Sequence, residues 1–140
     1  MELITKEIAR KLYRADQQYL ETGETPDLII VKFFTPWGRA TWWIVQATPL
    51  DAINGEPCEP ENAKDWHMFG FADVVGSDCA ELGYTLLSEL VKIRGPYRLT
   101  VERDMHFGKH TLSEIRDRDE YNYPRNANVR NQREAGCTPL

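Results

Sequence analysis

Apolar residues recur every three or four positions near the start of the chain, at Ile4, Ile8, Leu12, Ala15 and Tyr19. This spacing places them on one face of an α-helix. Thr5 is suited to cap the amino end of the helix, and Gly23 is suited to end it. The pattern therefore predicts a helix over residues 5–21, packed by one side against a flat surface.

A strand-like alternation follows in residues 28–34. It predicts one face formed by Ile29, Val31 and Phe33, and the opposite face formed by Leu28, Ile30, Lys32 and Phe34. Further strands are predicted over residues 40–48, 66–76, 81–87 and 97–104. Trp42 and Trp43 are adjacent, so they point to opposite faces of their strand. If the helix covers only one face, one of the two tryptophans is left for a loop, a partner or solvent.

Two short helical segments are predicted at 88–96 and 111–117, with Ser88 and Ser113 as their caps. Both begin with a Leu-Ser-Glu triplet, but the flanking residues differ and indicate no repeat. The expected fold is α+β: a mainly antiparallel sheet of about five strands with an N-terminal helix and one or two short helices. We expect residues 1–117 to form a single domain and residues 118–140 to form a polar, arginine-bearing tail.

Composition indicates a cytoplasmic protein without a cofactor. No apolar run approaches 18 residues, and the first residues lack the pattern of a signal peptide. The three cysteines are widely spaced, which predicts reduced thiols and neither a disulfide nor a zinc site. A net charge of −5 argues against direct binding of nucleic acid.

Charge is uneven along the chain. Residues 49–65 are predicted to form a long polar loop rich in acids, and the tail carries several arginines. Long loops in compact domains often carry function, and exposed aromatic residues often anchor interfaces. The candidate partner-binding residues are Glu56, Glu59, Glu61, Asp65, Trp37, Trp42, Arg125 and Arg130.

One segment, VERDMHFGKH at 101–110, is dense in ionisable residues. On a strand, Glu102 and Asp104 share a face that His106 could join, and such a group can bind a divalent metal or share a proton. The alternative is a solvated strand face on which Arg103 pairs with a neighbouring acid. Gly108 argues against a helical zinc site between the histidines, so we predict no metal, and no catalytic residue is favoured.

Several short motifs resemble, in order and spacing, a small bacterial family catalogued as a domain of unknown function (DUF2958). They are LITKEI (3–8), VKFFTP (31–36), TWW (41–43), ELGY (81–84), LSEL (87–90), IRGP (93–96), VERDMHF (101–107) and LSEI (112–115). The resemblance implies no activity. It implies carriage by plasmids, phages and integrative elements, often near anti-restriction genes. The acidic loop and the tail depart from the usual pattern.

The function expected from these features is that of a non-enzymatic accessory protein of a mobile genetic element. In its most concrete form it inhibits a host defence complex, of restriction or CRISPR type, by binding a host protein or nucleoprotein complex and no membrane. The alternative is a small metal-dependent hydrolase or nuclease that uses Glu102, Asp104 and His106. An open sheet edge would also allow a homodimer.

Overall fold

A five-stranded antiparallel sheet organises the protein in the computed structural model, which describes residues 1–74 and 79–118. In chain order the elements are α1 (Lys6–Thr22), β1 (Val31–Phe34), β2 (Thr41–Leu50), β3 (Asp65–Asp73), β4 (Glu81–Leu86), α2 (Leu87–Lys92), β5 (Glu102–Arg103) and α3 (Leu112–Arg116). Short 3₁₀ turns lie at Pro60–Asn62 and Pro96–Arg98. The strands are arranged β4-β3-β2-β1-β5, which confirms the predicted α+β class.

Helix α1 begins and ends where the sequence predicts. The Thr5 hydroxyl accepts a hydrogen bond from the Ile8 amide at 3.2 Å, and Gly23 adopts a left-handed φ of 74°. The buried carboxylate of Asp16 ties the helix to β2, because it accepts hydrogen bonds from Gln46 Nε2 at 3.2 Å and Thr48 Oγ1 at 2.9 Å. A buried acid that has two donors avoids the cost of an unpaired charge.

Apolar cores lie on both faces of the sheet. The core beneath α1 contains Leu12, Phe33 and Trp42, and the core beneath α3 contains Trp43 and Ile115. Trp42 and Trp43 are only 4% and 3% exposed. Of the surroundings expected for the second tryptophan, solvent is therefore wrong, because α3 covers Trp43 on the face that α1 leaves open.

The first strand is shorter than its apolar pattern. Ile29 packs in the core beneath α3, whereas Val31 and Phe33 pack beneath α1, so the predicted face shared by these three residues is wrong. Pairing with β2 begins only at Val31. Before it, the Ile29 amide donates to the His110 carbonyl at 3.0 Å, which connects this residue to the segment entering α3.

The predicted strand at 97–104 is mostly a loop. Only Glu102–Arg103 pairs with β1. Tyr97 and Arg98 have φ values of 57° and 61°, which are incompatible with an extended strand. Leu99 is 40% exposed instead of buried, while Val101 is in the core as predicted. A Gly95 amide bond to the Leu99 carbonyl, at 2.8 Å, closes the loop.

Two observations bear on the predicted compartment, one on membrane-spanning helices and one on the cysteines. No helix in residues 1–74 and 79–118 is long and apolar enough to cross a membrane. Cys58 has a free thiol, but Cys79 is disulfide-bonded, so the prediction that all three thiols are reduced is wrong for Cys79.

Gly70 and Gly83 are opposite each other on β3 and β4 and provide a matched test of the packing. A Cβ at Gly70 would lie 1.9 Å from the Trp43 carbonyl oxygen, whereas a Cβ at Gly83 would meet no atom within 4 Å. We expect Gly70→Ala to lower the free energy of unfolding by about 3 kcal/mol or more, since the neighbouring backbone of β2 must move. Gly83→Ala should change it by less than about 1 kcal/mol. Urea denaturation measures both, and equal effects would contradict the close packing of β2 on β3.

Candidate functional site

The ionisable segment 101–110 does not assemble a metal site. The Asp104 carboxylate pairs with Lys32 Nζ at 3.3 Å and accepts a hydrogen bond from the His106 amide at 2.9 Å. Within the described ranges, no group of three or more His, Cys, Asp or Glu side chains could hold a metal ion. No observation therefore brings Glu102, Asp104 and His106 together as a reaction centre.

Arg103 has a structural contact that the sequence did not indicate. Its guanidinium donates to the main-chain carbonyl of Glu2 at 2.7 Å, and its amide lies 3.1 Å from the Met1 sulfur. The expected pairing with a neighbouring acid is replaced by this attachment of the chain's first residues to β5.

A groove of about 360 Å³ lies between α1 and the segment that contains β5. Two ion pairs lie in its lining: Lys11 pairs with Glu7 at 3.4 Å, and Lys32 pairs with Asp104. Lys32 also lies 5.4 Å from the centre of the Phe107 ring. Both acids of the groove are therefore offset by lysines, and Arg103, which also lines it, binds main-chain carbonyls.

The loop over residues 51–61, here called the acidic loop, differs in this respect. Glu56, Glu59 and Glu61 are exposed, and none of them forms a salt bridge with another residue of the described chain. Of the predicted partner-binding residues, these three are brought together on one exposed loop.

The acidic loop is held by hydrogen bonds at both ends. The Asp51 amide donates to the Glu56 carbonyl at 2.9 Å, and the Asp51 carboxylate accepts from the Glu56 amide at 3.0 Å. The Cys58 amide donates to the Pro49 carbonyl at 2.9 Å, and the Lys64 amide to the Leu50 carbonyl at 2.8 Å. The predicted long loop is therefore shorter and more ordered than its composition suggested.

Two neighbouring groups respond to the charge of this loop. Burial raises the pKa of the Tyr13 phenol, and the hydrogen bond to Glu59 and the charge of Glu59 and Glu61 raise it further. Burial likewise raises the pKa of the Cys58 thiol, with added effects of Asp51, Glu59 and Glu61. A raised pKa keeps Cys58 protonated, which makes it a poor nucleophile. Sequence reasoning missed Tyr13, since nothing in the sequence indicates its contact with the loop.

Asp65 has a structural role instead of the predicted partner contact. It is 1% exposed and accepts hydrogen bonds from the Trp66 amide at 2.8 Å, the Ser88 amide at 2.9 Å and the Ser88 hydroxyl at 2.7 Å. The prediction that Asp65 belongs to an exposed acidic surface is wrong, because these bonds fix the start of α2.

The two predicted helix caps are each displaced by two residues. The cap position of α2 is Leu86, and the Ser88 hydroxyl binds Asp65. Thr111 caps α3 by accepting from the Glu114 amide at 3.2 Å, whereas Ser113 binds Asp27.

Neither predicted aromatic anchor is fully exposed. Trp42 is buried, and Trp37 is half-buried with Gly95 against its ring, where an added Cβ would lie 2.2 Å from the indole. Arg125 and Arg130 lie outside the described residues.

The family described as "Protein of unknown function (DUF2958)" matches residues 3–120, which include all the motifs that resemble it. No curated protein and no solved structure matches the chain.

Replacing Asp65 tests its structural role. Asp65→Ala should lower the free energy of unfolding by about 2–4 kcal/mol, because buried donors of Trp66 and Ser88 lose their acceptor. Asp27 binds Ser113 in the same way but is exposed, so water can replace it and Asp27→Ala should cost clearly less. Urea denaturation compares the two variants, and a smaller loss for Asp65→Ala than for Asp27→Ala would overturn this role.

The pair formed by His110 and Glu114 predicts a pH effect. The hydrogen bond from His110, 3.0 Å long, lowers the pKa of Glu114. A lowered folded-state pKa contributes stability above the unfolded-state pKa, and this contribution is lost as the pH falls through the folded-state pKa. His110→Ala should raise the pKa of Glu114 and reduce the stability that is lost as the pH falls.

Carboxyl ¹³C NMR titration of Glu114 measures the change. His106→Ala is the matched control, because the hydrogen bond of His106 to Asp104 is made by its backbone amide, which the substitution keeps. It should leave the pKa of Glu114 unaltered. An unchanged pKa in His110→Ala would contradict the assignment.

Proposed function

The chain belongs to the DUF2958 family, whose description names no activity, and we propose that it acts by binding another protein through the acidic loop. In the most concrete form of this proposal, it is an accessory protein of a mobile genetic element that inhibits a host defence complex of restriction or CRISPR type. Such complexes present basic surfaces that bind nucleic acid, and an acidic loop complements a surface of that charge.

The observation that carries the proposal is the set of three exposed glutamates without salt bridges to other described residues. Unpaired acids on one loop add their potentials, which accelerates encounter with a basic partner. By contrast, the two acids that line the groove beside α1, Glu7 and Asp104, are paired with lysines within the protein.

The order of the acidic loop also supports binding. Residues that are already fixed by hydrogen bonds lose less conformational entropy when a partner binds. The amides of Cys58 and Lys64 bind the end of β2 at Pro49 and Leu50, and the Asp51–Glu56 bond closes the first turn of the loop. Its acids are therefore presented by a framework that need not rearrange.

Removing the three charges tests the proposal. A tagged protein and its Glu56→Gln, Glu59→Gln, Glu61→Gln triple variant are used to capture partners from host lysate, with and without nuclease. We expect the triple variant to retain at least about tenfold less of the captured complex, equivalent to about 1.4 kcal/mol. Raising the salt concentration should weaken capture by the unmodified protein, because exposed charges are screened.

The matched control replaces three exposed acids outside the loop, Glu2, Glu21 and Glu24, by glutamine. It removes the same charge and should retain the complex as the unmodified protein does. Circular dichroism establishes that both variants are folded. Equal retention by the two triple variants would sink the proposal. An equal loss would show that only net charge matters, and equal full retention would show that the loop acids do not contribute.

A further inference from the structure

A recess of about 440 Å³ opens beside the acidic loop. Asn54 and Gly55 of that loop form one side, and His67, Tyr84 and Glu89 come from β3, β4 and α2. The recess is therefore continuous with the loop that carries the proposed binding surface, although none of its side chains was among the residues predicted from sequence.

Two stacked aromatic rings, those of His67 and Tyr84, line the recess. The His67 and Tyr84 rings are 4.4 Å apart between centroids and only 3° from parallel. The centroid of the Phe69 ring lies 5.0 Å from the centroid of the Tyr84 ring. Tyr84 nevertheless remains 59% exposed. Ordered aromatic side chains that are open to solvent are typical of binding hot spots.

The charge of the recess favours a cation. Glu89 is the charged residue in its lining, which contains neither lysine nor arginine. No salt bridge joins Glu89 to another residue in the part of the chain that the structure describes. Glu56, next to Gly55, extends the negative charge beyond the edge of the recess.

We propose that this recess binds an arginine side chain of the partner. A guanidinium is planar and stacks on aromatic rings, and its fork of donors can bind a carboxylate through two hydrogen bonds. A lysine ammonium is a point charge without a planar surface, so it can pair with Glu89 but cannot stack on the aromatic rings in the same way. This inference rests on the proposed function, and it names the partner chemistry that the acidic surface would recognise.

Short peptides test the recess directly on the full chain. Acetyl-Gly-Arg-Gly-Arg-Gly-amide and its lysine counterpart are titrated while ¹H–¹⁵N shifts are followed at Asn54, Gly55, Thr85 and Glu89. We expect the arginine peptide to bind at least about fivefold more tightly than the lysine peptide. Equal affinities, or shifts confined to residues outside the recess, would overturn the proposal.

Variants separate the aromatic and the ionic contributions. Tyr84→Ala and Glu89→Gln should each weaken binding of the arginine peptide about fivefold or more. Tyr84→Phe keeps the ring and should bind as the unmodified protein does, which guards against an effect of misfolding in Tyr84→Ala. Glu81→Gln removes an acid of β4 outside the recess and should have no effect. Unchanged binding in Glu89→Gln would contradict the inference.

Capture from lysate distinguishes this inference from the proposed function. If Glu89→Gln retains the complex fully while the triple variant of the acidic loop loses it, the recess proposal fails and the proposed function stands. If the loop variant retains the complex, the proposed function fails, and the peptide titration alone decides the recess. Reduced retention of at least about threefold in Glu89→Gln supports both.

Discussion

Burial of β2 on both faces is the constraint on which the rest of the structure depends. The strand is central in the sheet, and its adjacent tryptophans insert into different cores. Each core needs its own cover, so α1 and α3 must both pack on the sheet, from opposite ends of the described chain. The tight approach of β3 at Gly70 follows from the same requirement, because a side chain there would collide with the backbone of β2. The two cores therefore fix the relative positions of β2, β3 and both covering helices.

Two aspartates stabilise the first turns of the short helices α2 and α3. Asp65 and Asp27 come from distant parts of the chain, and each carboxylate binds the amide and hydroxyl of a serine, Ser88 in α2 and Ser113 in α3. A helix of five or six residues is marginal by itself, so a tertiary contact that satisfies its free amides is what holds it. The similar Leu-Ser-Glu triplets reflect this shared local chemistry. They do not require a repeated unit.

Local sequence patterns predicted most helices and strands. Burial and side-chain partners depend on tertiary contacts, which those patterns do not contain. The spacing and caps of α1 were sufficient, since a helix signal is carried by its own residues. The cover over Trp43 was not predicted, because exposure of a sheet face depends on whether a helix as short as α3 packs there. Asp65 looked like its acidic neighbours, but its position at the end of β3 places it against Ser88. The acids of the loop were recognisable from composition, whereas the stacking of His67 on Tyr84 depends on strand register, which composition does not reveal.

The distribution of paired and unpaired charge connects the fold to the proposed binding surface. Near α1 and β5, Glu7 and Asp104 lie within ion-pair distance of lysines, so the protein offsets the charge of these two acids itself. In the acidic loop, by contrast, the pKa values of Tyr13 and Cys58 are raised partly by the loop's acids, which indicates negative potential that nearby cations do not cancel. Hydrogen bonds hold the main chain of the loop, so its acids have fixed attachment points on the surface. A basic partner would meet like charges there that no salt bridge among the described residues offsets. The loop and the adjoining recess therefore form the surface that we propose for binding complementary charge.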